Sequence, residues 1–312
     1  MTTVSIIIPV YNRATMVREA IESALRDASE VPLEIVVVDD ASTDGTWGSL
    51  RAYENPRIRR VRMDANGGQS AARNRGLDVA SGTYVKFLDS DDVLLRGHLA
   101  AEVLALQSSG ADIAVSGWRA ESNGKTTIFA APVFHEIVDD VLAGIAAPTS
   151  SALYVRRPDW RWDPALRKLD DWDYFCQAAL GANQIVTVEG PAYDMREHAA
   201  SRATHTTMLA NAREHHRILQ KIEERLSAGG LLTTPRRRRL AQYYYKELRV
   251  MSLHDRSAFD AAAEHIRALD PSFQPRDEEQ QQLMRIMARV FGFRNAVLLH
   301  SAIKKLVKEN AA

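Results

Sequence analysis

An α/β fold with a mostly parallel sheet flanked by helices, extended at its C-terminus by helices alone, is what this sequence predicts. Three observations carry that expectation. Short apolar runs alternate with helix-like stretches through the first half, two of the runs lack any polar alternation, and strand-like runs cease near Thr206. The runs lie at residues 5–10, 34–39, 59–63, 84–88 and 112–118, and their alternation with helical segments describes a βαβα chain, whose sheet is parallel or mostly so. Ile6-Ile7-Ile8 and Val36-Val37-Val38 have the unbroken apolar character of strands covered on both faces. Beyond Thr206, helical patterns are punctuated by Gly229-Gly230, Pro235 and Pro271. The expected organisation is a domain over residues 1–205, in halves of about 1–92 and 93–205, and a helical region over 206–312. Leu283, Ile286, Met287, Val290 and Phe291 recur at helical spacing, as an amphipathic helix requires.

The 312 residues hold 40 Lys plus Arg against 40 Asp plus Glu, so no overall charge signature of nucleic-acid binding exists and no such partner is expected. With 46% hydrophobic and 26% charged residues, the composition is that of a globular protein. Cys176 is the only cysteine, which excludes an intrachain disulfide and fits a reducing compartment. The N-terminal apolar run is too short for a signal peptide, and no stretch approaches the roughly 20 apolar residues of a membrane-spanning helix. A cytoplasmic protein is expected, at most peripheral on the inner face of the membrane.

Ligands of parallel sheets gather at the carboxyl ends of the strands. Here those ends carry Pro9-Val10-Tyr11-Asn12, Asp39-Asp40-Ala41-Ser42 and Asp89-Ser90-Asp91-Asp92. Three carboxylates within four residues repel one another unless a cation or a set of donors holds them. Mg²⁺ and Mn²⁺ are hard ions that suit such oxygens, and Mg²⁺ uses one or two protein carboxylates plus phosphate oxygens; a solvated turn with a helix-capping Asp is the alternative. Asp39 is placed either to accept from a base N–H or ribose hydroxyl, or to serve in turn and cap chemistry. Gly67 and Gly68 precede a small-residue helix, where backbone can approach a ligand closely and Arg73 or Arg75 can reach a phosphate. Neither a GxGxxG nor a GxxxxGK[ST] pattern occurs, which counts against dinucleotide oxidoreductases and P-loop NTPases. Asp170-Asp171-Trp172-Asp173 opens a further helix; acids there suit the macrodipole, and one of them suits a general base.

In this order the five motifs, residues 4–12, 37–46, 66–76, 87–92 and 170–173, resemble family 2 of the inverting glycosyltransferases, with the GT-A fold, over about residues 1–200. The resemblance implies that Pro9, Tyr11, Asn12 and Asp39 line the donor's base and ribose, with Arg73 close by. Asp89 would flank the ribose, Asp91 ligate the metal directly and Asp92 face the donor sugar or acceptor. Asp171 matches the catalytic base, and Asp170 stands where the family commonly has Glu. Arg196 and His198 match a late Arg-x-His segment that neutralises the leaving group or completes the metal shell, giving Asp91, Asp89 and His198 as the expected metal set. Implied cofactors are Mn²⁺ or Mg²⁺ and a nucleoside diphosphate sugar, with UDP the first expectation. The acceptor would be a hydroxyl of a glycan or lipid-linked molecule in polysaccharide or cell-surface glycan synthesis. A sugar-nucleotide nucleotidyltransferase and an inactive sugar-nucleotide-binding scaffold are the rival readings. Arg236 to Arg239, with Arg285, Arg289, Lys304, Lys305 and Lys308, leave peripheral membrane contact and helical homodimerisation both open. Trp118, Trp160 and Trp172 are either sugar-stacking residues or core packing.

Overall fold

The computed structural model describes residues 3–27, 30–122, 125–196, 208–251 and 256–273, so His198, the 283–291 segment and the C-terminal lysines lie outside the described residues. The chain divides into two compact units, Met1–Ala203 and Thr204–Ala312.

In the first unit the apolar runs become central strands. Strand β1 (Val4–Val10) is buried along its whole length and pairs in parallel with β2 (Leu33–Asp39) on one side and β4 (Tyr84–Phe87) on the other. Strand β3 (Ile58–Arg62) extends the parallel group beyond β2. The β1–β4 ladder ends at Ile7–Phe87, with the Leu88 N–H donating to the Ile7 carbonyl. Pro9 lies two residues further along β1, on that same side, and offers no N–H to continue the ladder. The chain after β4 is thus released from the sheet where Asp89 begins its turn.

Beyond β4 the sheet departs from the expected parallel order. Among the described residues it runs β3-β2-β1-β4-β8-β6-β9-β5, with β7 paired to β6. Strand β8 (Ala152–Val155) is inserted antiparallel between β4 and β6 (Ile113–Ser122), and β9 (Ile185–Arg196) runs parallel to β6 through a bulge near Gly117. The two-residue β5 (Val93–Leu94) pairs antiparallel with β9, and β7 (Lys125–Phe129) forms a hairpin with β6. Strand β6 therefore runs past Trp118, where the apolar pattern ends, because the hairpin partner rather than burial sustains it.

Strand parity divides the packing. Ile6, Ile8, Ile35 and Val37 join one apolar core with Val17, Ala20, Ile21 and Ala24 of α1 (Ala14–Arg26) and Leu99, Val103 and Leu106 of α4 (His98–Ser109). Ile7 meets α3 (Gln69–Val79), where Gly76 allows a close approach: a Cβ there would lie 2.4 Å from Ile7 Cγ2. Phe87 meets an edge-on aromatic set of Tyr154, Trp162 and Tyr174, the last on α6 (Asp170–Ala179). Trp160 is buried against Tyr154 and is core, not a sugar platform; Trp118 stacks on Phe129 of the hairpin. Short α2 (Thr46–Arg51) and α5 (Ile137–Leu142) complete the unit.

The second unit holds α7 (Met208–Ala228), α8 (Thr234–Met251) and α9 (Arg256–Leu269), packed through Ile218, Ile222, Leu226, Leu240, Leu248, Phe259 and Ile266. Glu223 accepts from Tyr244 at 2.9 Å and pairs with His265 at 2.7 Å, which ties the three helices together. Among the described residues, no helix is long and apolar enough to cross a membrane.

Candidate active site

The strand ends meet in one acidic site that is held together by arginines. Arg73, on α3, is fully buried, and its guanidinium spans two acidic segments. Its Nη2 donates to Asp89 at 2.6 Å, its Nη1 donates to Asp170 at 3.0 Å, and the same Nη1 lies 3.3 Å from Asp171. The Trp162 ring covers the guanidinium at 4.2 Å. Burial opposes the charge, yet Asp89, Asp171 and Asp170 together hold the Arg73 pKa above its ordinary value. With almost no exposed surface, Arg73 holds these acids from behind.

Asp170 is the anchor of that arrangement. It accepts from Gln69 at 2.8 Å and from Ser70 at 2.8 Å as well as from Arg73, so successive positions on one turn of α3 converge on the first residue of α6. Asp171 then projects from the first turn of α6. Although 41% of its side chain is accessible, its Oδ1 is buried, and the surroundings of that oxygen dominate. Burial pushes the Asp171 pKa up to about 6, with Arg73 opposing and Asp89 and Asp170 reinforcing the rise.

The turn after β4 distributes its three carboxylates among different partners. Asp89 faces Arg73, whereas Asp91 forms an ion pair with Arg13, the residue preceding α1. Asp92 is buried; it accepts from the Ser150 hydroxyl at 3.3 Å and the Arg196 N–H at 3.4 Å. Burial first, then Asp89 and Asp91, push its pKa up to about 8. Arg196 donates through Nε to the Asp91 carbonyl at 2.6 Å and pairs with Glu19, leaving a buried Nη2 with no acceptor. Ser150, in a 3-10 turn at Thr149–Ser151 ahead of β8, also accepts the Asp89 N–H at 3.4 Å.

The expected metal set is not a ready cage. Asp89 and Asp91 are engaged by separate arginines, His198 lies outside the described residues, and among the described residues no three His, Cys, Asp or Glu side chains are placed to hold an ion by themselves. The donor chemistry still fits a hard divalent ion. The 89–92 turn concentrates negative charge to the point of driving Asp92 toward its protonated form, and Mg²⁺ needs only one or two protein carboxylates beside diphosphate oxygens.

The nucleotide-side residues are more constrained than their motifs suggest. Asp39 is wholly buried; its Oδ1 accepts from the Ser42 N–H at 3.3 Å and its Oδ2 lies 3.3 Å from Arg62. The glycine amides that a phosphate would need are already taken, since Gly67 and Gly68 donate to Asp40, each at 2.8 Å. Asn12 accepts the Thr43 N–H at 2.8 Å and donates to the Thr43 hydroxyl at 3.2 Å, which clamps the β1 and β2 loops together. Both loops carry a non-glycine residue at positive φ, Asn12 at 53° and Ala41 at 57°, a backbone cost that clusters at ligand-binding loops. Pro9 is buried within the strand end, while Tyr11 is 44% exposed and open to a planar ligand. Arg13, Glu19 and Ser150 were not anticipated; only Arg13 had a signal, its place directly after the first strand-end motif.

A mixed sheet with acidic strand ends and a carboxylate-bearing helix opposite them is the layout of a sugar-nucleotide enzyme of the GT-A type. Residues 5–154 match the model for glycosyl transferase family 2. Asp170, Asp171 and Arg196 lie outside the matched stretch, and Arg73, with Gln69 and Ser70, joins the α6 acids to it. The chain is 39% identical over 112 residues to the succinoglycan biosynthesis protein ExoO of Rhizobium meliloti (strain 1021), covering 36% of this chain and 32% of that one. It is 32% identical over 133 residues to WfaP of Escherichia coli, a UDP-Glc:alpha-D-GlcNAc-diphosphoundecaprenol beta-1,3-glucosyltransferase, covering 42% of this chain and 53% of that one. The chain thus matches about half the length or less of these curated relatives. In fold it is similar to S. aureus TarS 1-349 in complex with UDP-GlcNAc, with a TM-score of 0.71 at 18% identity over 97% of this chain and 92% of that one.

Proposed function

We propose that this chain is a metal-dependent, inverting glycosyltransferase. It moves a sugar from a nucleoside diphosphate sugar, UDP being the expected nucleotide, to a hydroxyl of a glycan or lipid-linked acceptor in polysaccharide synthesis on the cytoplasmic side. The observation that carries this reading is the position of Asp171, 3.3 Å from the guanidinium that also holds Asp89. A proton acceptor and the acidic strand-end turn are thereby fixed to one rigid group. The UDP sugars in the descriptions of WfaP and TarS support the choice of nucleotide.

Asp91, with Asp89 beside it, would hold the divalent ion, which when bound neutralises charge on the departing diphosphate. Asp171, with a pKa of about 6, is ionised at neutral pH and takes the acceptor hydroxyl's proton as that oxygen attacks the anomeric carbon. Attack opposite the leaving group inverts the centre. Tyr11 gives the base an exposed ring to lie against, and Arg196 brings a guanidinium to the Asp91 turn. Arg236 to Arg239 at the start of α8 keep two readings open for the second unit: contact with anionic lipid, and homodimerisation. Flotation with anionic liposomes separates them.

The decisive experiment is a thermal-shift screen of nucleoside diphosphate sugars with and without Mn²⁺, followed by identification of the released nucleotide, because a bound donor stabilises by mass action. Metal-dependent stabilisation by one donor and release of its nucleoside diphosphate are expected. Release of pyrophosphate from a nucleoside triphosphate would favour the nucleotidyltransferase reading instead, and binding without turnover the scaffold.

A further inference from the structure

We infer that Arg13 is an internal counter-ion for Asp91 which a divalent cation must displace, so that cation binding at this turn is weak until a nucleoside diphosphate arrives. This rests on the function proposed above. Two independent sets of contacts fix the backbones and leave only the side chains to compete. Arg13 is held at the head of α1 by its N–H donating to the Thr46 hydroxyl at 3.0 Å and by its carbonyl accepting the Val17 N–H at 3.1 Å. Asp91 is held by its carbonyl, which accepts from Arg196 Nε at 2.6 Å, while its carboxylate pairs with Arg13.

Each neighbouring acid is already committed in part. The inner oxygen of Asp89 is engaged by buried Arg73, and Asp92 is buried against Ser150. A cation arriving alone at Asp91 therefore breaks one ion pair to make another and strands the Arg13 guanidinium. A cation arriving with a diphosphate gives both positive groups an anionic partner. Binding of the two ligands is then coupled, each raising the other's affinity by the same factor. Side chains of Arg13 and Asp91 are 38% and 21% exposed, so the pair is partly screened and its removal is worth roughly fivefold in affinity.

Titration of the whole chain with Mn²⁺, followed by electron paramagnetic resonance of the free ion, with and without UDP, tests this. Wild-type protein should bind Mn²⁺ weakly alone and more tightly with UDP. Arg13→Gln should bind Mn²⁺ alone roughly fivefold more tightly, with the UDP effect on Mn²⁺ affinity reduced by a similar factor, while Arg13→Lys, which keeps the charge, should stay near wild type. Equal Mn²⁺ affinity of Arg13→Gln and wild type in the absence of UDP would overturn the inference and leave the enzyme reading intact. Failure of all three proteins to bind Mn²⁺ even with UDP would overturn the metal-dependent reading itself.

Discussion

Replacing Arg73 with Met tests whether one buried guanidinium supports both the stability of the first unit and the proton affinity of Asp171. Met replaces the aliphatic stem without the guanidinium and leaves Asp170, itself 1% exposed, without its cation. Breaking a buried ion pair by removing one partner costs about 3–5 kcal/mol. Gln69 and Ser70 still donate to Asp170, which places this case at the lower end, about 3 kcal/mol. For a unit of this size that corresponds to a fall of about 6–12 °C in the midpoint of thermal unfolding. Calorimetry reads the fall directly. Loss of Arg73 also removes the positive charge that lowers the Asp171 pKa, so the acid limb of kcat/KM should move above pH 6. A double variant, Arg73→Met with Asp170→Leu, should recover much of the stability and none of the activity, because it removes the stranded carboxylate without restoring the charge. A single-variant midpoint within about 2 °C of wild type would refute the assignment of Arg73 as the strut between the two acidic segments.

Asp171→Asn should lower kcat by roughly 10²–10⁴ and abolish the acid limb near pH 6 while leaving UDP affinity unchanged, as pH-rate profiles and calorimetric titration would reveal. Asp92 is raised to about 8 in the folded protein from about 4 unfolded, so the folded state holds an extra proton between those values and stability falls as pH rises from about 4 to about 8. Asp92→Asn should accordingly stabilise more at pH 9 than at pH 6 in urea titrations; an equal effect at both would contradict the shift. Gly76→Ala places a methyl 2.4 Å from Ile7 Cγ2 and should cost about 1–3 kcal/mol through overpacking, less about 1 kcal/mol of improved helix propensity, measured as a lowered urea midpoint.

How much of this was legible in the sequence differs between the halves of the sheet. Strands β1 and β2 are buried almost throughout and announce themselves as apolar runs, whereas the edge strand β3 is largely exposed and carries three arginines. Strand β5 has two residues, β7 is exposed throughout, and β9 is interrupted by Gly190-Pro191, so none has a period to detect. These are strands because a neighbour supplies their hydrogen bonds. The acids at positions 89, 91, 92, 170 and 171 were visible as like charges crowded together, a pattern that needs a physical reason. Their partners were not, because a sequence records that Arg73 is cationic and not that it is buried. The amides of Gly67 and Gly68 show the same limit: loop glycines suggested an anion from outside, and the anion is Asp40 of the chain itself.

Strand β8 has a consequence for how such a protein can change. The chain leaves the sheet after the β6–β7 hairpin and returns only at the 149–151 turn, where Ser150 touches Asp89 and Asp92. Everything between is an excursion that starts from the hairpin and ends at β8, the strand paired with β4 ahead of the acidic turn. That excursion includes Phe134, which packs against Phe175 of α6, and the buried Val141 and Leu142, so a change within it is transmitted to the helix that carries Asp171.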